Sequence, residues 1–127
     1  MKKINTSFLP AIAWFIISTI LLCLPGSKLP KIEWLNKIWF DKWVHITMFG
    51  IMVILWCRAI AKKTLPVSIL KKKFLFLSLV WLVYGIMMEW VQLKFIPNRS
   101  FDKGDILADA IGCLVGLFFS NRVYIKR

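Results

Sequence analysis

The chain has 127 residues, 59% of them hydrophobic, and a mean hydropathy of +0.70. This composition excludes an ordinary soluble domain of the same length and indicates a protein that resides in lipid. The formal net charge of +12 does not indicate nucleic-acid binding, because the basic residues lie between apolar segments rather than in one continuous patch.

Four apolar stretches predict four transmembrane helices, with approximate bounds 8–24, 44–61, 74–91 and 102–120. A spanning helix needs about 20 mainly apolar residues, and the first three stretches reach that length once their flanks are counted. The fourth stretch reaches that length only if it extends back through Asp105 toward Asp102. This extension would place carboxylates at the membrane boundary. The sequence therefore predicts an all-α integral membrane protein with a single domain over 1–127.

The first predicted helix begins near Pro10, which suits a first helical turn because its missing N–H costs little there. Pro25 and Gly26 predict its end. No small-residue cleavage site follows, so we expect this segment to remain as a helix. The segment Lys31–Trp43 has apolar residues at spacings of three and four, which predicts a short interfacial amphipathic helix between the first two transmembrane helices.

The remaining connections are predicted as loops. Lys62–Lys73 is basic and predicts a cytoplasmic turn, whereas Lys94–Ser100 contains Pro97 and predicts a short outer loop. Ser100 or Asp102 can cap the fourth helix, because either side chain accepts hydrogen bonds from free backbone N–H groups.

Positive charge predicts the orientation. More of the 18 Lys and Arg residues lie in the N-terminal, second-loop and C-terminal segments than in the first and third loops. Because basic residues concentrate on the cytoplasmic side, both termini are predicted to be cytoplasmic. Cys23, Cys57 and Cys113 lie in different predicted helices and form no CxxC pair, which favours packing over redox chemistry.

Five of the six acidic residues and the only histidine lie beside these apolar stretches, near their predicted outer ends. A carboxylate near hydrocarbon is costly and usually faces a protein interior or a functional cavity. Helical spacing places the polar groups of each segment on one face. The sequence thus predicts an outward-facing ligand-binding pocket, formed by Asp41, His45, Glu89, Gln92, Arg99, Asp102, Asp105 and Asp109.

Several chemistries remain open for this pocket. Glu89 and His45 are the candidate residues for acid–base catalysis. A purely structural network is also open, with Arg99 pairing with Asp102 or Glu89 and His45 pairing with Asp41. One histidine among oxygen ligands suits a hard divalent ion, but no compact motif such as HExxH is present, so no metal site is predicted and the cofactor is unknown.

The fourth predicted helix carries Gly112 and Gly116, and small residues at this spacing permit close helix approach. Asp105, Asp109, Gly112 and Gly116 share one face. This predicts a central position for the helix in the bundle, and the two glycines also offer a face for oligomerisation or for an assembly partner.

These residues resemble a known pattern, that of the VanZ-like membrane proteins. The pattern has an Asp-x-x-x-His helix start, a Glu-x-x-Gln helix end and an Arg-x-x-Asp-x-x-Asp approach to a third helix. The matching segments are Phe40–Ile46, Glu89–Gln92, Asn98–Asp102 and Asp105–Gly112, in the same order and spacing. The family often has Asn at the position of Asp109. An aspartate at this position allows a like-charge pair with Asp105.

The resemblance implies a multi-pass protein of the bacterial cell membrane. The name-giving member of the family is linked with resistance to the lipoglycopeptide teicoplanin. We therefore expect recognition of a cell-envelope component, such as a lipid-linked glycan or a lipoglycopeptide, by a protein that contacts the lipid bilayer and no nucleic acid. The alternatives are an enzyme acting on a lipid or lipid-linked glycan headgroup and a structural or assembly partner in the membrane.

Overall fold

The computed structural model describes residues 6–24, 40–62, 65–97 and 101–125. These residues are almost entirely helical and include no strand. A short 3₁₀ turn, Thr6–Phe8, precedes four helices. The helices are α1 (Leu9–Leu22), α2 (Phe40–Ala61), α3 (Val67–Phe95) and α4 (Lys103–Tyr124).

Three of these helices are long and apolar enough to cross a membrane, namely α2, α3 and α4. At about 1.5 Å per residue they are about 33, 44 and 33 Å long, whereas the hydrocarbon core is about 30 Å thick. Helix α1 is also apolar but has 14 residues, about 21 Å. The prediction of an all-α protein is confirmed for the described residues, and α2 to α4 have the length and apolar character that a membrane-spanning helix needs. Helix α1 is shorter than the predicted segment.

Several helix boundaries differ from the predicted ones. Helix α3 begins at Val67, directly after Pro66, and continues to Phe95. The Lys71–Lys73 run therefore lies in a helix, and the prediction of a turn over 62–73 is wrong for most of its length. The predicted helix began at Phe74 because the apolar stretch begins there. The first turns of a helix need no apolar residue, however, and lysine is a good helix former.

Other local predictions are confirmed. Pro10 lies in the first turn of α1, and Asp102 is the N-cap of α4, where its side chain accepts a hydrogen bond from the Gly104 N–H. Most of the predicted interfacial helix, together with Pro25, Gly26 and Ser100, lies outside the described residues.

The most extensive helix contact joins α2 and α4. A Cβ added to Gly112 would lie 2.5 Å from the carbonyl oxygen of Ile46, and one added to Gly116 would lie 2.7 Å from that of Gly50. The backbones thus approach as closely as the absence of side chains allows. The glycine face is buried against α2 of the same chain, while oligomerisation itself stays a prediction.

Helix α1 is attached to the other helices by hydrogen bonds of polar side chains. Trp14 Nε1 donates to the Met48 carbonyl at 3.0 Å, and the Thr19 and Tyr84 hydroxyl oxygens lie 2.5 Å apart. Gln92 Nε2 donates to the Leu22 carbonyl at 2.8 Å, which satisfies one of the free carbonyls at the end of α1. These contacts place the end of α1 beside the end of α3.

Candidate functional site

Acidic side chains and the histidine meet where α2, α3 and α4 come together. We call this group the polar centre and define it as Lys42, His45, Glu89, Asp102, Asp105 and Asp109. His45 lies five residues from the start of α2, Glu89 six from the end of α3 and Asp109 six from the start of α4. Each is therefore about 8–9 Å along its helix from the same end of the bundle.

His45 is held by two aspartates of α4. Its Nδ1 lies 2.7 Å from Asp109 Oδ1, and its Nε2 lies 3.8 Å from Asp105 Oδ2. With Asp109 ionised, the Nδ1–H donates to that carboxylate and fixes the orientation of the ring. The ring also stacks on Phe49, four residues later on α2, with a centroid distance of 6.4 Å. Both ring nitrogens thus face carboxylates, an arrangement that suits proton transfer or cation binding.

Lys42 bridges the two outer aspartates. Its Nζ lies 2.6 Å from Asp102 Oδ2 and 2.7 Å from Asp105 Oδ1. The Lys42 ammonium, with its hydrogen bond to the carboxylate, lowers the pKa of Asp102 below its usual value. Asp102 is therefore a carboxylate at neutral pH, and it joins the start of α2 to the start of α4.

Glu89 lies deeper and contacts α4 through its backbone. The residue is 1% exposed, and its Oε2 accepts a hydrogen bond from the Asp102 N–H at 3.1 Å. One turn earlier on the same face of α3 is Gly85, where an added Cβ would lie 2.6 Å from Asp109 Oδ2. The missing side chain at Gly85 therefore leaves the space that the Asp109 carboxylate occupies.

The remaining predicted residues have different positions. Gln92 is 1% exposed, and its amide nitrogen donates to the Leu22 carbonyl, so this group ties α3 to α1. The Asp41 side chain and Arg99 lie outside the described part of the chain. The structure thus brings together five of the eight predicted residues: His45, Glu89, Asp102, Asp105 and Asp109.

Exposure decreases along the centre from the helix ends inward. The side chains of Asp102 and Lys42 are 44% and 22% exposed, whereas that of Asp109 is 1% exposed. The half-exposed groups at the helix ends mark the approach to the buried ones.

Two residues of the site were missed by sequence reasoning. Lys42 was counted only as a loop charge, although its position three residues before His45 places both on one face of a helix. Gly85 was not predicted as a site residue, although it lies four residues before Glu89 and so shares its helix face. In both cases a spacing of three or four residues from a predicted site residue was the signal in the sequence.

A separate groove lies between α1 and α2. It has a volume of about 240 Å³, and it is lined by Trp14, Leu21, Trp43, Val44, Thr47 and Met48. Its α2 residues lie in the same helical turns as Lys42 and His45. The groove is mainly apolar and is at the same level of the bundle as the polar centre.

Asp102 provides a test that separates helix capping from charge. Asp102→Ala removes the acceptor for the Gly104 N–H and the partner of Lys42, and we expect it to lower the free energy of unfolding by about 1 kcal/mol. Asp102→Asn keeps a capping oxygen and loses only a half-exposed ion pair, so its cost should be smaller, below about 1 kcal/mol. Reversible unfolding in detergent measures both. Equal costs for the two variants would contradict the capping role.

Comparison with known proteins adds no family assignment. No family profile, curated protein or solved structure matches this chain. The functional conclusion therefore depends on the residues of the polar centre and on their geometry.

Proposed function

We propose that this chain is a VanZ-like protein of the bacterial cell membrane that recognises a component of the cell envelope. In this proposal both termini are cytoplasmic and the polar centre opens to the outer side. The ligand is the headgroup of a lipid-linked glycan or a lipoglycopeptide, and binding contributes to tolerance of teicoplanin. The observation that carries the proposal is the convergence of His45, Glu89 and Asp109 from three helices.

The chemistry of the centre supports a polar ligand. Carboxylates and imidazole bind sugar hydroxyls by hydrogen bonds and bind ammonium groups by charge-assisted ones. The Lys42 ammonium shows the second mode inside the chain, with Nζ–Oδ distances of 2.6 and 2.7 Å to Asp102 and Asp105. An ammonium group of a ligand can replace that of Lys42 between the same two carboxylates.

The surroundings of the centre support a ligand embedded in the membrane. The graded exposure from Asp102 to Asp109 gives a headgroup a route from the helix ends. The apolar groove beside Trp43 and Met48 gives an acyl chain a place at the same level of the bundle. A molecule with one polar and one apolar part therefore fits this end of the protein better than a wholly soluble one.

Glu89→Gln and Asp105→Asn test the proposal in bacteria that require the protein for teicoplanin tolerance. We expect each change to remove most of that tolerance, since each deletes a carboxylate of the centre while preserving shape. Glu33→Gln is the matched control, because Glu33 is the one acidic residue that the sequence pattern leaves outside the site. If both site variants retain tolerance at wild-type abundance, recognition by the polar centre is refuted.

One observation favours an enzyme as the second candidate. The His45–Asp109 contact of 2.7 Å orients the imidazole ring, and buried Glu89 supplies a second group able to carry a proton. Such a pair can activate water or a hydroxyl against a lipid or lipid-linked glycan headgroup. Turnover of a purified headgroup substrate that disappears in Glu89→Gln but persists in Glu33→Gln would favour this candidate over binding alone.

A further inference from the structure

Three side chains of the polar centre have the arrangement of a metal-ligand set. His45, Glu89 and Asp109 each offer one ligand atom, and these atoms all lie within 4.8 Å of one another. Adjacent ligands of an ion with bonds of about 2.1 Å are about 3 Å apart in octahedral geometry. The separation of 2.7 Å between His45 Nδ1 and Asp109 Oδ1 is already close to that value. The Glu89 ligand atom lies within 4.8 Å of both of these atoms.

The charges of the described side chains also favour a cation. Four carboxylates of the polar centre face one lysine and one histidine. The Lys42 ammonium lies between Asp102 and Asp105, whereas Glu89 and Asp109 are each 1% exposed and lie deeper. Buried carboxylates are costly unless protons or cations compensate them. An ion at the three ligand atoms would compensate the two deepest ones.

Gly85 supplies an independent indication. A Cβ at this position would lie 2.6 Å from Asp109 Oδ2 and 3.1 Å from the Phe49 ring. The bare backbone of α3 therefore lets the Asp109 carboxylate reach the face of α3 that carries Glu89, while its other oxygen contacts His45. A glycine in the middle of a helix costs about 0.5–1 kcal/mol relative to alanine, and here it opens the space in which the donor groups meet.

We propose that His45, Glu89 and Asp109 bind one divalent cation of the Zn²⁺ or Mn²⁺ class. Imidazole favours Zn²⁺, and carboxylates favour Mn²⁺ or Mg²⁺, so a mixed set with one nitrogen favours ions that accept both. Binding uses the lone pair of His45 Nδ1, so the proton between Nδ1 and Asp109 has to leave this position. In a neutral imidazole it moves to Nε2, which faces Asp105, and from an imidazolium it leaves to solvent. This inference rests on the proposed function for the role of the ion, which is to hold an anionic phosphate that carboxylates alone would repel.

The test is calorimetric titration of the purified full-length chain in detergent, with Zn²⁺ and Mn²⁺ as separate probes and Mg²⁺ for comparison. The affinity tag must lack histidine, because tag histidines would bind the same ions. Without them, His45 is the only histidine that is present. We expect one ion per chain and weaker binding of Mg²⁺. Glu89→Gln and Asp109→Asn should each weaken binding at least about tenfold, and the control Glu33→Gln should bind as the wild type does.

A second measurement needs only the wild-type chain. The imidazole signals of His45 in an NMR spectrum should shift when the ion binds, even if a variant fails to fold. Absence of one-to-one binding at ion concentrations on the order of 1 mM, unshifted His45 signals, or wild-type affinity in Glu89→Gln would each overturn the inference. If the wild-type chain binds the ion but Glu89→Gln and Asp105→Asn leave teicoplanin tolerance unchanged, the proposed function alone is refuted.

Discussion

Gly112→Ala is expected to lower the free energy of unfolding by about 1–3 kcal/mol, the usual cost of overpacking. The new Cβ would lie 2.5 Å from the Ile46 carbonyl oxygen and 3.1 Å from the Ile46 Cα. Both atoms belong to the backbone, so no side chain can rotate away, and α2 and α4 must separate along their most extensive contact. The fraction of protein that stays monodisperse in detergent after heating measures the loss.

Gly50→Ala is the matched control for this effect, because Gly50 lies in the same interface. Its Cβ would be 3.4 Å from the Gly112 carbonyl oxygen, an ordinary contact. Alanine also has a higher helix propensity than glycine by about 0.5–1 kcal/mol. We therefore expect Gly50→Ala to be neutral or stabilising, and a stability ranking of Gly112→Ala above Gly50→Ala would contradict the described packing of α2 on α4.

Gly85→Ala is expected to disable the polar centre while the fold remains. The added Cβ would lie 2.6 Å from Asp109 Oδ2, and the Phe49 ring, at 3.1 Å, limits the space on the other side. The Asp109 carboxylate must therefore rotate away from His45. Asp109 is both a proposed ligand of the cation and the group that orients His45, so we expect cation binding to weaken at least about tenfold and teicoplanin tolerance to fall with it.

The single histidine makes this result measurable. The His45 Nδ1–H signal should show a strong hydrogen bond to a carboxylate in the wild type and a weaker one in Gly85→Ala. Gly50→Ala again serves as the control, since it makes the same chemical change on α2 and leaves the Asp109 carboxylate in place. Unchanged His45 signals together with full affinity in Gly85→Ala would show that Asp109 does not contact His45 as described.

The sequence predicted which polar side chains of the candidate site come together better than it predicted the limits of the helices. Helical spacing placed Asp105 and Asp109 on one face with Gly112, and this face does contact α2. Periodicity within one segment is a local property, so it could be read without knowing the neighbouring helix. The start of α3 was placed too late because hydropathy locates the apolar core of a helix, whereas helical hydrogen bonding extends into its charged first turns.

The hydrogen-bond partners that these side chains have on other helices could not be predicted in the same way. Gln92 belongs to the Glu89 face by spacing, but its amide reaches the Leu22 carbonyl, because the end of α1 supplies a free acceptor nearby. His45 contacts Asp109, whose oxygen lies 2.7 Å from the ring, and this partner was not among the pairings that the sequence suggested for His45. Such pairings depend on how three helices are arranged, and no spacing within a single helix contains that information.

A structure determined in a lipid bilayer, in the presence of Zn²⁺ and native bacterial lipids, tests the central claim most directly. The expected result is non-protein density bounded by His45, Glu89 and Asp109, with the three side chains converging from α2, α3 and α4. A bundle in which these side chains face lipid, or in which they close on one another with no density between them, would contradict a binding site at the polar centre.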